Sequence, residues 1–167
     1  MRAVLTALTL LALSNAALSD VTVSFVEGAP KDRFVIANKG GCPFGKLSIE
    51  INMAGSSAGL VFDVSSTGAG VEVFQPFELT SGGGSVAGQP IVRDGDQKLE
   101  LQLSQFLPQE EIIFTIDVDD TVSKRQTTVS NSEIVGAEVT VRTGSVSATG
   151  TFGSDAVAVA KISACNS

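Results

Sequence analysis

Histidine, tryptophan and tyrosine are all absent from this 167-residue chain, and cysteine occurs only twice. The lack of histidine excludes Ser-His-Asp and Cys-His catalysis and removes the ligand that most catalytic zinc sites use. Sugar-binding modules usually stack their ligands on tryptophan or tyrosine rings, so a sugar site here would depend on the nine phenylalanines. Most of those lie at core-like positions. The absences therefore predict a protein that is not an enzyme.

The N-terminus has the three parts of a secretory signal peptide. Arg2 supplies a positive charge, residues 3–13 form a short apolar run, and small residues follow. Cleavage after Ala16 or after Ser19 fits the small-residue rule. The apolar run is too short to cross a bilayer, which needs about 20 residues. We predict a signal peptide over residues 1–19 and an exported protein, extracellular or periplasmic; a buried N-terminal helix is the alternative.

Acidic residues outnumber basic ones, 18 against 11, which gives a formal charge of −7. Loss of Arg2 with the signal peptide makes the mature chain one unit more negative. Such a surface repels nucleic acid and anionic membranes. We predict no nucleic-acid partner and no membrane span. The expected partner is a protein or polysaccharide at the cell exterior, and the sequence leaves the oligomeric state open.

Apolar and polar residues alternate along most of the chain after the signal peptide, which is the pattern of half-buried strands. About ten short runs of this kind are separated by Gly, Pro, Asn, Asp and Ser clusters. They predict an all-β fold, an antiparallel β-sandwich of jelly-roll or Ig-like type, as one domain over residues 20–167. The best helical candidate is short, at residues 104–107. The weaker strand candidates include Val71 and Val73, Val146 and Ala148, and Val157 and Val159.

Cys42 and Cys165 are the only cysteines. In an exported chain an even pair predicts a disulfide; two free thiols are the alternative. The segment around Cys42, Gly-Gly-Cys-Pro-Phe-Gly-Lys-Leu, nearly spells a phosphate-binding loop. Leu47 stands where that loop needs Ser or Thr to hold magnesium, and a strand pattern follows instead of a helix. We therefore interpret this segment as a loop that carries the disulfide.

Two acidic clusters are the candidate binding residues. Asp-Gly-Asp at 94–96 lies in a predicted turn, and the strand candidate at 112–118 ends among three aspartates. Alternation places Asp117 and Asp119 on the same face of that strand. Two such carboxylates repel each other unless they are solvated or bridged by a cation, and calcium binds about six to eight oxygens at strand ends and loops. The predicted calcium ligands are Asp94, Asp96, Asp117, Asp119 and Asp120, with Asp63 and Glu133 as further candidates.

Other functions for these acids are weaker. The sequence contains no complete calcium-loop spacing, so a solvated polar face is the plain alternative. A glycosidase would use paired carboxylates, but no aromatic sugar subsite accompanies them. A histidine-free, metal-dependent hydrolase and a carbohydrate-binding module are the alternatives to an interaction module. In a further alternative the acids bind nothing and the domain assembles through its strand edges.

Residues 94–150 carry a resemblance. A Phe-Leu-Pro-Gln-Glu stretch (106–110) leads to an Asp-Val-Asp strand end (117–119) and then to Gly-Ala-Glu-Val-Thr-Val (136–141). This order resembles bacterial exported proteins described as aggregation-factor-core-like, after the core protein of sponge aggregation factors. It is also similar to surface-exported bacterial proteins with a Phe-x-Pro-Gly-Glu stretch, where Gln109 replaces the usual Gly. The surface-sorting tail that those proteins often carry does not occur here.

The resemblance implies an extracellular adhesion or matrix role, one compatible with calcium dependence. It brings no catalytic residue. We therefore predict a secreted, non-enzymatic interaction module that calcium stabilises.

Overall fold

The computed structural model describes residues 19–66, 74–122 and 129–163. Within these ranges the protein consists of ten strands and contains no helix. The predicted all-β antiparallel sandwich is confirmed. Residues 1–18 of the predicted signal peptide and the strand candidate at Val71 and Val73 lie outside the described residues. The strands are β1 (Ser19–Val26), β2 (Asp32–Asn38), β3 (Leu47–Asn52), β4 (Val61–Asp63), β5 (Glu78–Ser81), β6 (Lys98–Leu103), β7 (Glu111–Asp119), β8 (Glu138–Thr143), β9 (Val146–Thr151) and β10 (Val157–Ile162).

Two antiparallel sheets form the sandwich. The first has the order β10-β1-β2-β7, and the free edge of β7 is shared by two short strands, β5 and β4. β5 pairs with the first half of β7, and β4 pairs with its last three residues. The second sheet has the order β6-β3-β8-β9. The last residues of β7 therefore lie where β2 has already ended and only β4 continues.

Alternation of apolar and polar residues accounts for the core between the sheets. In β6, Leu99, Leu101 and Leu103 are buried and the residues between them are exposed. The rings of Phe34 and Phe114 stack across β2 and β7 with their centroids 5.0 Å apart. Burial of each such side chain stabilises the fold by about 1.5–3 kcal/mol. Six phenylalanines are among the largest fully buried side chains: Phe34, Phe44, Phe62, Phe106, Phe114 and Phe152.

The helical candidate at residues 104–107 is wrong. Phe106 exchanges two backbone hydrogen bonds with Phe44, at 2.9 and 3.0 Å, in an isolated bridge. Its side chain is fully buried, so both the backbone and the ring fix this segment in an extended form. β5 is a strand that the sequence did not predict, because three of its four residues are exposed and show no alternation.

The last strand, β10, differs from the predicted pattern in which residues face the core, whereas in β9 the predicted face of Val146 and Ala148 is the one that includes the buried Gly150. In β10 the alanines Ala158 and Ala160 are buried, whereas Val159 is 38% exposed. In β9 the inward position near β10 is Gly150, where an added Cβ would lie 2.4 Å from the Val159 carbonyl oxygen. The two strands approach so closely that Gly150, Ala158 and Ala160 occupy the inward positions at their contact, and Val157 and Val159 of β10 lie on the outward face.

A buried aspartate cluster as a candidate metal site

Three aspartates converge on the outer face of the first sheet, where β4 pairs with the end of β7. Asp63 lies directly opposite Asp117 in the register of this pair. Asp119, two residues further along β7, projects from the same face because strand side chains alternate. One carboxylate oxygen from each of the three lies within 4.8 Å of the other two. The exposed fractions are only 1% for Asp63, 8% for Asp117 and 5% for Asp119.

The turn at residues 93–96 brings a fourth carboxylate to this group. Phe62 donates its N–H to the Asp96 carbonyl oxygen at 2.8 Å, and Gly95 donates to the Phe62 carbonyl oxygen at 2.9 Å. These bonds seat the turn against β4. The Asp94 carboxylate then accepts hydrogen bonds from the N–H groups of Val64 and Ser65, at 3.1 and 3.2 Å. In this position it acts electrostatically on Asp63.

A fifth carboxylate, that of Asp32, lies beside the group at the end of the hydrogen-bond ladder between β2 and β7. The pairing of β2 with β7 ends where Asp32 lies opposite Ile116. The Asp32 side chain continues the ladder, since its Oδ2 accepts the N–H of Val118 at 3.2 Å and its Oδ1 accepts the N–H of Gly28 at 3.0 Å. Asp32 is 1% exposed. It therefore links the β1–β2 turn to the end of β7.

Burial makes it unfavourable for these carboxylates to be charged. Burial raises the pKa of Asp32 to about 7, and the carboxylates of Asp117 and Asp119 add to this effect against the two N–H donors. Burial also raises the pKa of Asp63 to about 7, with further contributions from Asp94 and Asp119. The pKa of Asp117 rises to about 6, through burial and then through Asp119. The cluster favours either bound protons or a bound cation at neutral pH.

One carboxylate oxygen of the cluster accepts no hydrogen bond in the described part of the chain. Among the described residues, the buried Oδ2 atom of Asp63 has no hydrogen-bond partner. Two ionised carboxylates have no proton to share, so Asp63 can hydrogen bond to Asp94 or Asp119 only when one of the pair is protonated. A buried, unsatisfied carboxylate oxygen costs free energy that a cation ligand bond would recover.

A cation is present on the same face but is already engaged. The Lys31 ammonium donates to the Glu78 carboxylate at 2.9 Å and to the Pro76 carbonyl oxygen at 3.1 Å. Its charge lowers the pKa of Asp117 slightly against the raising effects of burial and Asp119. Lys31 forms its ion pair with Glu78 and leaves most of the negative charge of the cluster uncompensated.

The geometry suits a metal ion. Oxygen ligands lie about 2.3–2.6 Å from calcium, so two ligands of one ion can be at most about 5 Å apart. The separations within the group of Asp63, Asp117 and Asp119 fall inside that limit. An all-oxygen donor set of this kind favours hard cations over those that prefer nitrogen or sulfur. The buried triad could therefore hold a divalent cation.

Of the five predicted calcium ligands, the structure brings three to the cluster, and the other two make local contacts in turns. Asp117 and Asp119 belong to the triad, and Asp94 adjoins it. Asp96 accepts the N–H of Arg93 at 2.8 Å and so closes its own turn. Asp120 accepts the N–H of Val122 at 3.0 Å in a similar local contact.

Of the two further candidates, Asp63 proves central and Glu133 does not belong to the triad. Glu133 accepts hydrogen bonds from the N–H and the hydroxyl of Ser130, at 2.6 and 2.7 Å. Sequence reasoning missed Asp32 altogether. The sequence shows only an acidic residue where a turn meets a strand, and acidic residues are common in turns.

The Cys42 loop is fixed by Asn38, whose side-chain amide donates to the carbonyl oxygens of Cys42 at 2.9 Å and Phe106 at 3.2 Å. Cys165 lies outside the described residues, so the Cys42–Cys165 disulfide stays a prediction.

Among the described residues we find no helix with the length and hydropathy to cross a bilayer. No protein-family model, curated protein or solved structure matches this chain.

Proposed function

We propose that this protein is an exported, non-enzymatic interaction module whose sandwich is stabilised by a calcium ion at the aspartate cluster. The observation that carries the proposal is the convergence of three buried carboxylates, from Asp63, Asp117 and Asp119, within 4.8 Å of one another. Ionised carboxylates this close repel each other strongly away from water. A divalent cation converts that repulsion into ligand bonds.

Calcium fits the surroundings better than other divalent ions. Zinc and copper sites in proteins usually contain nitrogen or sulfur ligands, and this chain has no histidine. Magnesium requires near-ideal octahedral geometry and usually keeps several waters, which a buried site excludes. Calcium accepts irregular sets of carboxylate and carbonyl oxygens. Extracellular modules bind it with millimolar-range affinity, which suits an exported protein.

The strand arrangement is compatible with the predicted disulfide of an exported protein. β10 ends at Ile162, opposite Ser19, and the Lys39 N–H donates to the Asp20 carbonyl oxygen at 2.8 Å. The end of β10 and the beginning of the Cys42 loop therefore lie at the same end of the first sheet, one strand apart. Cys165 is three residues after Ile162, and three extended residues can reach about 10 Å, which is about the two strand spacings from β10 across β1 to β2.

The interaction role rests on the family resemblance and on the missing catalytic groups. The resemblance to aggregation-factor-core-like proteins implies adhesion outside the cell. A hydrolase would need its metal open to substrate, but each carboxylate of the triad is less than a tenth exposed. The absence of histidine from the sequence removes the commonest general base. A buried ion with no room for substrate acts as a structural element.

Thermal unfolding in millimolar calcium and in chelator tests the ion. Calcium at a hundred times its dissociation constant should stabilise the fold by about 2.7 kcal/mol. For a domain of this size the melting temperature should rise by roughly 5–10 °C. The shift should disappear in Asp63→Asn and Asp119→Asn. It should persist in Glu138→Gln, which makes a similar acid-to-amide change at an exposed position of the other sheet.

Two outcomes would contradict parts of the proposal. Equal melting temperatures with and without calcium would exclude a calcium site. A shift that survives both aspartate substitutions would place the ion elsewhere. The interaction role is tested separately, by whether the calcium-loaded protein binds extracellular polysaccharide or protein from the producing cells and whether chelator abolishes this binding.

A further inference from the structure

The β1–β2 turn creates a second concavity on the outer face of the first sheet. It has a volume of about 330 Å³, and its lining includes Val26, Ala29, Lys31, Arg33 and Thr115. Arg33 pairs with Val26 on one side and with Thr115 on the other. These three side chains therefore form a row across β1, β2 and β7, on the face opposite the phenylalanine core. The concavity is open to solvent and shares no lining residue with the aspartate triad, although it adjoins it, since Lys31 acts on Asp117 and Thr115 precedes Asp117 on the same face of β7.

Two basic side chains, Lys31 and Arg33, line the concavity in a protein that is strongly acidic overall. Arg33 is exposed, and within the described ranges no carboxylate lies within ion-pair distance of its guanidinium. Lys31 has three N–H donors, of which two are used by Glu78 and Pro76. The lining residue Glu27 directs a carboxylate oxygen to the N–H of Asn131, at 3.1 Å. Both basic residues line the concavity, and the guanidinium of Arg33 and one N–H of Lys31 are not used in these contacts.

We propose that this concavity binds the carboxylate group of a ligand that is otherwise uncharged and about the size of a sugar ring or a dipeptide. A guanidinium matches a carboxylate in two parallel hydrogen bonds. The Thr115 hydroxyl lies beside Arg33 in the strand register and offers a further donor. Val26 and Ala29 supply apolar walls for the body of the ligand.

The charges around the concavity favour a ligand with one negative charge over a ligand with several. The formal charge of the chain is −7, and the carboxylates of Glu27 and Glu78 lie beside the two basic side chains. Phosphate esters and sulfated polymers would meet this repulsion at every additional charge. The sequence contains no tryptophan or tyrosine, so a neutral sugar would lack the preferred stacking surface as well.

Chemical-shift titration of the labelled protein tests the proposal in buffer with constant calcium. The probes are N-acetyl-alanyl-alanine and methyl glucuronide, which carry the same group on a peptide and on a sugar. The controls are the amide of the peptide and methyl glucoside, which lack the charge. We expect saturable shifts of the Gly28, Lys31 and Thr115 amides with at least one of the two acids, in the millimolar range. Which acid binds identifies the source of the carboxylate.

Substitutions locate the site. Arg33→Gln should weaken binding by about tenfold or more, because it removes a charge-assisted pair. Arg142→Gln, an exposed arginine on the second sheet, should leave the affinity unchanged. Unperturbed spectra of both variants away from the substituted residues establish that they fold. Equal shifts with the neutral compounds, no saturable shift with either acid, or full affinity in Arg33→Gln would overturn the proposal.

Discussion

Without calcium, the protein should lose stability as the pH rises from about 4 to about 7. The reason is the burial of the aspartate cluster, which raises the pKa of both Asp32 and Asp63 from 3.8 to about 7. Between these two values the folded state holds protons that the unfolded state has released. The free energy of unfolding then falls with increasing pH. Most proteins show the opposite trend over the lower part of this range, because their carboxylates are stabilised in the charged form.

The size of the effect follows from the pKa shift. The rise for Asp32 is about three units, and each unit corresponds to about 1.4 kcal/mol, so its full ionisation costs about 4 kcal/mol. The cost is absent below about pH 4, grows through the interval, and is complete above about pH 7. Asp63 and Asp117 share the same repulsion, so their costs are not simply additive. Even about 4 kcal/mol is a large fraction of the 5–15 kcal/mol typical of folded domains.

Bound calcium should remove, at the upper end of the range, the part of this pH dependence that comes from its ligands Asp63 and Asp117, whereas the part from Asp32, which is not in the triad, should remain. The ion needs ionised ligands and supplies the charge that stabilises them. Its stabilising effect should therefore be small near pH 5 and largest near pH 8. Urea unfolding at several pH values, with chelator and with millimolar calcium, measures both curves. In chelator, Asp63→Asn should be more stable than the native sequence near pH 8, since the amide carries no charge to bury.

The result that would refute this reasoning is a calcium-free stability that is flat or increasing between about pH 4 and pH 7. Such a curve would mean that the carboxylates ionise at little cost, through water or donors that reach them. Glu138→Gln provides the control, because an exposed glutamate on β8 should not affect the slope. Loss of the slope in this variant as well would attribute it to net charge and not to the cluster.

Three further predictions concern other parts of the chain. Non-reducing peptide mapping should join the peptides that contain Cys42 and Cys165, and reduction should lower the melting temperature; separate peptides would exclude the bridge. Mass spectrometry of the exported protein should find its N-terminus directly after one of the two predicted cleavage sites, and an intact leader would contradict export. Gly150→Ala should destabilise the fold by about 1–3 kcal/mol in urea unfolding, because its Cβ would lie 2.4 Å from a backbone oxygen of β10. Gly84→Ala is the control, since nothing lies within 4 Å of a Cβ there, and equal losses would refute the close approach.

Alternation predicted the strands because it is a local property of the sequence. β3, β6 and β7 have the predicted apolar faces. The pattern defines two faces of a strand but does not say which one meets the core. In β10 the larger residues suggested the valine face, and the close approach of β9 made the alanine face the buried one. β5 is held by pairing with β7, which leaves no hydrophobic signal in its own four residues.

A backbone feature bears on the one position where this chain departs from the pattern behind the resemblance. The Phe-x-Pro-Gly-Glu stretch usually has Gly where this chain has Gln109, and Gln109 adopts a φ of 62°. Glycine reaches this region without the steric cost that other residues incur. The Gln109 side-chain amide donates to the Lys39 carbonyl oxygen at 3.3 Å, a contact that glycine could not make and that partly offsets the cost. The resemblance therefore indicates a turn geometry more directly than it indicates a function.

The candidate site was only partly predictable, because it depends on pairing between distant segments. Alternation places Asp117 and Asp119 on one face, and the structure agrees. Their burial and the position of Asp63 depend on the register between β4 and β7, whose paired residues are more than fifty positions apart along the chain. Asp32 reaches the cluster because β2 ends opposite Ile116, two residues before Val118, whose N–H binds the Asp32 carboxylate. The position of each of these residues depends on strand lengths, which a local sequence pattern does not show.

The position of the cluster also explains why an ion there would matter to the fold as a whole. β7 is the longest strand, and its end extends past β2, so that the three-residue strand β4 is its remaining ladder partner in the described sheet. Two carboxylate contacts compensate: Asp32 extends the β2 ladder, and Asp94 attaches the neighbouring turn to the end of β4. Four separate segments are thus held together by acids that repel one another. A cation held by Asp63, Asp117 and Asp119 would join β4 directly to the end of β7 and would lower the repulsion that Asp32 and Asp94 meet beside them.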